Sequence, residues 1–151
     1  MNIWDFQQNL ARRLLVWSAL SIFFGLLLQL LKNPFSRGLG QQLAGWGVID
    51  GLIATIGLRG ARKEHLSSQN AVNDLAVASR AVRQQDTLQR ILEINTGLDI
   101  LYMAGGLQTV RTKGSKDAFW RGTGLGIIIQ GGFLFFFDLF HAVLLRRRHV
   151  Q

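Results

Sequence analysis

Four acidic residues stand inside stretches that are otherwise long and apolar enough to lie in a lipid bilayer: Asp50, Glu93, Asp99 and Asp138. An aspartate at the centre of a membrane helix costs ~2.5–3.5 kcal/mol on insertion scales. Ionisable side chains at that depth usually face the protein interior and mark a functional site. Buried carboxyl groups of this kind bind and release cations or protons. The alternative is structural, since polar side chains also bond across helices and fix their packing, at ~0.6 kcal/mol each.

Other polar residues fall on the same helical faces as these acids when successive residues are placed about 100° apart. Asn95 and Asp99 are one turn apart, and Tyr102 continues their face. If successive helices run in opposite directions, these residues form a polar seam at two depths. The predicted seam holds Asp50, Asn95, Asp99 and Tyr102 near the middle, and Glu93, Gln130, Asp138 and His141 along the third and fourth helices, with Glu93, Asp138 and His141 on the cytoplasmic side.

A metal site is the most specific chemical alternative to cation or proton binding at the polar seam. Asp138 and His141 are neighbours three residues apart on a helix, and Glu93 is predicted at their depth. One Asp-x-x-His pair is less than the two Glu-x-x-His motifs of a di-iron bundle, so the metal is left open. No cofactor is predicted, and a single histidine within a span offers no axial pair for haem. No catalytic motif is present, so we do not predict an enzyme.

Four segments of the chain are predicted to position these residues as membrane-spanning helices, since ~20 residues at 1.5 Å each cross the hydrocarbon core. The predicted spans are residues 14–31, 38–58, 88–108 and 122–145. Residues 59–87 are polar, with an apolar stripe, and predict a helix from about Ser68 that runs directly into the third span as a cytoplasmic extension. The fold class predicted is therefore an all-α, four-span bundle that forms a single membrane domain over residues 1–151.

The segment before the first span predicts a short interfacial helix. Ile3, Phe6 and Leu10 share a helical face, and Trp4 is expected to anchor at the level of the lipid headgroups. The first span is too long for a typical signal peptide and no cleavage site follows it, so we expect it to be retained.

Charge and cysteine content narrow the class of protein. Seventeen Lys and Arg stand against nine Asp and Glu, and there is no cysteine for a disulfide or a thiolate metal site. No basic patch is interleaved with exposed aromatic residues, so nucleic acid is not predicted as a partner. Eleven basic residues lie on the side of the termini and six on the other side. Because cytoplasmic loops carry the excess of base, both termini are predicted in the cytoplasm.

Glycines are placed where two helices can approach closely, as small residues four apart allow in membranes. The residues predicted to pack in this way are Gly47, Gly51, Gly105, Gly106, Gly131 and Gly132. A faint internal repeat also appears, since Arg37-Gly38-Leu39-Gly40 opens the second span and Arg121-Gly122-Thr123-Gly124 opens the fourth. The repeat predicts two similar hairpins related by an axis along the membrane normal.

Three sequence segments together resemble a bacterial family of small four-helix membrane proteins of unknown function. They are the segments 46–50, 94–102 and 129–133, the last of which leads to Asp138-Leu139-Phe140-His141. The resemblance covers the second to fourth spans and not the first. It implies a bacterial inner (plasma) membrane location and a shared set of polar positions, but no activity.

The function predicted is binding or translocation of a small cation or proton through the buried carboxylates. The alternative is a non-catalytic structural or accessory subunit of a larger membrane complex. The lipid bilayer is the expected surrounding, and the glycine faces predict self-association as a homo-oligomer or assembly with other subunits.

Overall fold

The structure is a computed structural model that describes residues 2–70 and 74–149. In these residues it is all-helical, as predicted, with no strand. The helices are α1 (Ile3–Gln29), α2 (Pro34–Gln69), α3 (Asp74–Arg111) and α4 (Ala118–His149), with a 3₁₀ turn at Lys113–Ser115. At 1.5 Å per residue the longest two reach ~54–57 Å, well beyond the thickness of a bilayer core.

The helix ends follow from local capping. Asn33 accepts a hydrogen bond from the backbone N–H of Ser36 at 2.8 Å, and Pro34 occupies the first turn of α2, where its missing N–H costs nothing. Asp117 likewise accepts from the backbone N–H of Phe119 at 2.8 Å at the start of α4. The connection between α1 and α2 and the connection between α3 and α4 are both short. For this reason α1 and α2 form one antiparallel hairpin, and α3 and α4 form the other.

The predicted continuous helix from Ser68 into the third span is not what the structure shows. Ser68 belongs to the last turn of α2, which extends to Gln69, and Asn70 follows it as a turn. The next helix begins at Asp74, and residues 71–73, which the prediction also covered, lie outside the described residues. The polar segment is therefore divided between two helices that both extend well past their predicted spans.

The two hairpins meet where α2 and α4 begin. A Cβ atom at Gly38 would collide with the carbonyl oxygen of Phe119, and one at Gly122 would collide with that of Phe35. Only glycine allows backbones to approach so closely. Gly38 and Gly122 occupy equivalent positions of the sequence repeat. The corresponding glycine of each hairpin therefore contacts the other hairpin.

Other glycines join the helices within each hairpin. A Cβ at Gly47 would lie 2.8 Å from Ile22 of α1, one at Gly51 would lie 2.6 Å from the Ser18 hydroxyl, and one at Gly106 would lie 2.9 Å from the Gly124 carbonyl. Gly131 would similarly meet Met103 at 2.9 Å. These four glycines are thus closely packed within the chain.

Two of the predicted packing glycines behave differently. No described atom lies within 4 Å of a Cβ built at Gly105, so this glycine does not pack against another described helix of the chain. A Cβ at Gly132 would make only an ordinary contact with Met103, at 3.7 Å. Both stand beside a glycine that is closely packed, and adjacent helical residues point about 100° apart.

The N-terminal segment is not an interfacial helix. It continues into α1 without a break from Ile3, and the Trp4 side chain is only 4% exposed, so it does not anchor at a headgroup surface. A buried cluster covers one end of the bundle and consists of Ile3, Trp4, Phe6, Leu92, Ala142 and Leu145. The apolar face predicted from the sequence is real, but it packs on α3 and α4.

Two of the described helices are long and apolar enough to cross a membrane, namely α1 and residues Ala118–Arg147 of α4. In α2 the glycines, Gln41, Gln42 and Asp50 dilute the hydropathy, and in α3 the charged residues do the same. By length and composition alone, the structure therefore identifies two candidate spans.

Candidate functional site

An acidic cavity of about 750 Å³ lies between the helices. We define it by the three carboxylates that line it, Asp50 from α2, Asp99 from α3 and Asp138 from α4. Their exposed fractions are 3%, 8% and 7%. Residues of α1, including Leu10 and Leu14, close one side. Three acids predicted from the sequence on three different helices are thus brought to one space.

A chain of hydrogen bonds holds the first of these carboxylates. The Gln130 side-chain amide donates to Asp50 Oδ2, and the Gln130 carbonyl oxygen accepts from the Trp17 indole N–H at 3.3 Å. Gln130 is 0% exposed, so both bonds are made away from solvent. The Trp17 ring is held in turn by stacking on Phe133, with centroids 3.6 Å apart. The donor and acceptor ends of the Gln130 amide are therefore fixed, with the donor end toward the cavity.

The other two carboxylates are held less completely. Asp138 has the Asn95 side chain as its hydrogen-bonding neighbour. Asp99 differs, because its buried Oδ2 has no hydrogen-bond partner among the described residues. A buried polar atom without a partner costs ~1–3 kcal/mol. Because Asp99 lines the acidic cavity, its carboxyl group is a candidate contact for a bound ligand.

Two aromatic rings stand at the same level of the cavity wall. Trp46 of α2 and Tyr102 of α3 meet edge to face, with centroids 4.9 Å apart at 71°. Tyr102 was predicted from its place on the Asp99 face, whereas Trp46 was not predicted as a site residue. The signal for Trp46 was its position one turn before Asp50, which places both on one face of α2.

The predicted cytoplasmic half of the seam does not form as expected. Glu93 lies on an exposed face, where it accepts from Gln89 at 2.6 Å and pairs with Arg146 at 3.2 Å. Glu93 is not among the residues that line the acidic cavity. The prediction placed Glu93 beside Asp138, whereas Glu93 is exposed and pairs with Arg146, eight residues after Asp138 on α4.

His141 is also separate from the acidic cavity. Its Nδ1 lies 2.6 Å from the Phe137 carbonyl oxygen, and its Nε2 lies 3.4 Å from an Arg13 nitrogen. Nδ1 therefore donates to the carbonyl, and Nε2 accepts from arginine, in a ring packed among Phe6 and Phe140. Both nitrogens already have partners, so the predicted Glu93–Asp138–His141 metal site is not assembled.

The described part of the chain holds no group of three His, Cys, Asp or Glu side chains arranged to bind one metal ion. The three cavity acids are therefore spread around the wall and do not converge on a single point. This arrangement suits a ligand that is larger than a bare ion, or a proton that occupies one acid at a time.

A family model described as "Family of unknown function (DUF6992)" matches residues 13–139. The chain belongs to this family. The DUF6992 segment begins within α1, so the family likeness also includes the first helix, which the sequence resemblance had left out. Asp50, Asp99, Gln130 and Asp138 all lie inside the DUF6992 segment, whereas Trp4 and His141 lie outside it. No curated protein and no solved structure matches the chain.

Proposed function

We propose that the chain is a four-span protein of the bacterial inner membrane with both termini in the cytoplasm. The support for two further spans is the surface of α2 and α3, which exposes large apolar side chains along the middle of each helix. These are Val48, Ile49, Leu52, Ile53 and Ile56 on α2, and Ile91, Ile94, Leu98, Ile100 and Leu101 on α3. Soluble monomers rarely expose apolar patches of this extent. The polar residues that lower the hydropathy of α2 and α3 include Asp50 and Asp99, which are buried.

Within this membrane protein, the acidic cavity binds a small cation or proton. One observation carries the proposal: three buried carboxylates from three helices line one space, and one of their oxygens, Asp99 Oδ2, has no partner among the described residues. Asp50 bonds across helices to Gln130, as an acid that only fixes the helices would, but Asp99 Oδ2 makes no such bond among the described residues. Intramembrane acids that face a cavity are typical of ion and proton sites.

The test is the reaction of the purified protein with dicyclohexylcarbodiimide, a lipophilic reagent that modifies protonated carboxyl groups in apolar surroundings. We expect label on Asp99, located by mass spectrometry, at a rate that falls when pH is raised or when Na⁺, K⁺ or methylammonium is added. Occupation of the acidic cavity by a cation favours the ionised carboxylate, which does not react.

Asp99→Asn removes the expected target and retains the shape of the side chain. Glu93→Gln is the matched control, because Glu93 lies on the same helix but outside the acidic cavity. The proposal is wrong if none of Asp50, Asp99 and Asp138 is labelled, or if their labelling is the same at every pH and in every salt. Flux through liposomes that contain the Asp99→Asn and Asp138→Asn variants then reports whether the bound species crosses the membrane.

A further inference from the structure

We propose that the cation bound in the acidic cavity is an amphipathic organic amine, with a protonated amino group at the carboxylates and a hydrocarbon body along the apolar wall. The proposal rests on the proposed function, since it names the class of cation that the same site takes.

The size of the acidic cavity and the spacing of its acids favour a ligand larger than a metal ion. A bound Ca²⁺ or Mg²⁺ ion needs several oxygens at ~2.0–2.6 Å. In the described residues the acids do not form such a group, and the cavity encloses about 750 Å³. Drug-sized molecules occupy pockets of ~300–1,000 Å³ with mostly apolar walls and a few polar groups. A single carboxylate is enough to bind one ammonium group, which donates through its N–H groups, and the rest of the wall is then left to a hydrocarbon body.

The residues that line the acidic cavity suit an amphipathic amine. Beside the acids stand the rings of Trp46 and Tyr102, and aromatic faces attract an ammonium group within ~6 Å. Most of the remaining lining is aliphatic and includes Leu10, Leu14, Ile53, Leu88, Leu92 and Leu134. The wall thus offers carboxylates together with apolar side chains, which are the two kinds of surface that an alkylamine needs.

The acidic cavity opens toward the surface that the proposed function assigns to lipid. Its lining includes Ile53 and Gly57 of α2 and Leu98 and Leu101 of α3, and all four are exposed. At Gly57 no described atom lies within 4 Å of the place a Cβ would take. An amphipathic amine dissolved in the bilayer therefore has a lateral entrance between α2 and α3.

The experiment measures equilibrium binding of methyl-, butyl- and octylammonium to the protein in detergent, by displacement of radiolabelled octylammonium. Each buried methylene contributes ~0.8 kcal/mol, so affinity should rise about fourfold per methylene. Octan-1-ol, which lacks the charge, should not displace the label. Asp99→Asn should weaken octylammonium binding at least tenfold, while Glu93→Gln should leave it unchanged.

The entrance is tested by a second pair of variants. Gly57→Phe places a ring at the opening of the acidic cavity, and we expect it to slow octylammonium binding at least tenfold. Gly45→Phe is the matched control, because Gly45 is also exposed on α2, also has open space around it, and does not line the cavity. Since neither position has a close neighbour, both variants should fold.

The outcomes separate the two proposals. If carbodiimide labelling of Asp99 responds to pH or inorganic cations but octylammonium does not bind, the amine proposal is wrong and the proposed function stands. If octylammonium binds equally to wild type and to Asp99→Asn, the amine proposal is also wrong, because the binding is then partition into an apolar surface. If there is neither labelling nor binding, both proposals fail.

Discussion

Gln130 is the residue on which the polar interior is centred. It is fully buried, and its amide joins the Trp17 indole of α1 to the Asp50 carboxylate of α2. A side chain that forms hydrogen bonds with two other helices at once fixes the distance of those helices from α4 and their rotation about their own axes. Loss of its amide would leave a donor and an acceptor without partners among the described residues.

We expect Gln130→Leu to lower the free energy of unfolding by about 1–3 kcal/mol for each of the two groups left unpaired. Trp17→Phe, which removes the indole N–H but leaves an aromatic ring to stack on Phe133, should cost only ~0.5–1.5 kcal/mol. Denaturant unfolding in detergent, followed by circular dichroism, measures both. The double variant should lose less than the sum of the two single variants, because they share one bond.

Gln108→Leu serves as the control for this series, since Gln108 is exposed on α3. A Gln130→Leu protein as stable as the Gln108→Leu protein would show that the buried bonds contribute nothing.

The acids of the site could be predicted from the sequence, but their connections could not. Asp50, Asp99 and Asp138 stand out because each interrupts an apolar stretch. Trp17 gave no such signal, because an indole in a membrane helix is compatible with a lipid-facing position. Its hydrogen bond to Gln130 depends on how α1 is rotated against α4, which periodicity within one helix does not determine.

At the scale of the helices, close contacts at glycine residues hold the helices together. Gly38 and Gly122 join the hairpins to each other, and Gly47 and Gly106 join the helices inside them. Small residues matter in membranes because helices there associate through packing and not through exclusion of water.

Gly38→Ala should therefore prevent close contact between the hairpins, because the new methyl group would occupy the place of the Phe119 carbonyl oxygen. We expect a lower unfolding temperature in detergent and loss of the hydrogen bonds that join one hairpin to the other. Gly45→Ala, at an open position of the same helix, should raise stability by ~0.5–1 kcal/mol through helix propensity.

Equal stability of the two alanine variants would contradict this account of the hairpin contact. Gly122→Ala extends the comparison to the equivalent glycine of the other hairpin, where the same loss is expected.

Helix positions were predictable where long apolar runs decide them, as in α1 and α4. The start of α2 was missed, because Asn33 and Pro34 cap a helix that begins at Pro34, four residues before the predicted span. The N-terminal segment was misjudged because an apolar face alone does not say whether lipid or protein covers it. Trp4 and Phe6 prove to be covered by the ends of α3 and α4.

At the scale of the molecule, the number of spans is the main structural question. With four spans, the α1–α2 and α3–α4 connections lie outside and the end of α2 lies inside. With two spans, formed by α1 and α4 alone, α2 and α3 lie outside together. The absence of cysteine allows single introduced thiols to distinguish these arrangements without background.

We expect a membrane-impermeant maleimide to label Lys32→Cys and Ser115→Cys in intact cells, and to label Lys63→Cys only after the cells are opened. All three positions are exposed. Labelling of Lys63→Cys in intact cells would contradict the proposed membrane topology, and labelling of all three positions in intact cells would establish the two-span arrangement.

The two hairpins are alike in the positions of their glycine contacts but differ in the residues that the glycines meet. Only the second hairpin places an acid against such a contact: the Asp99 backbone lies beside Gly131, whereas Ser18 occupies the corresponding place beside Gly47. The architecture is thus duplicated, but its polar content is not. Interior side chains can therefore differ between the hairpins while the equivalent glycine contacts still hold the helices together.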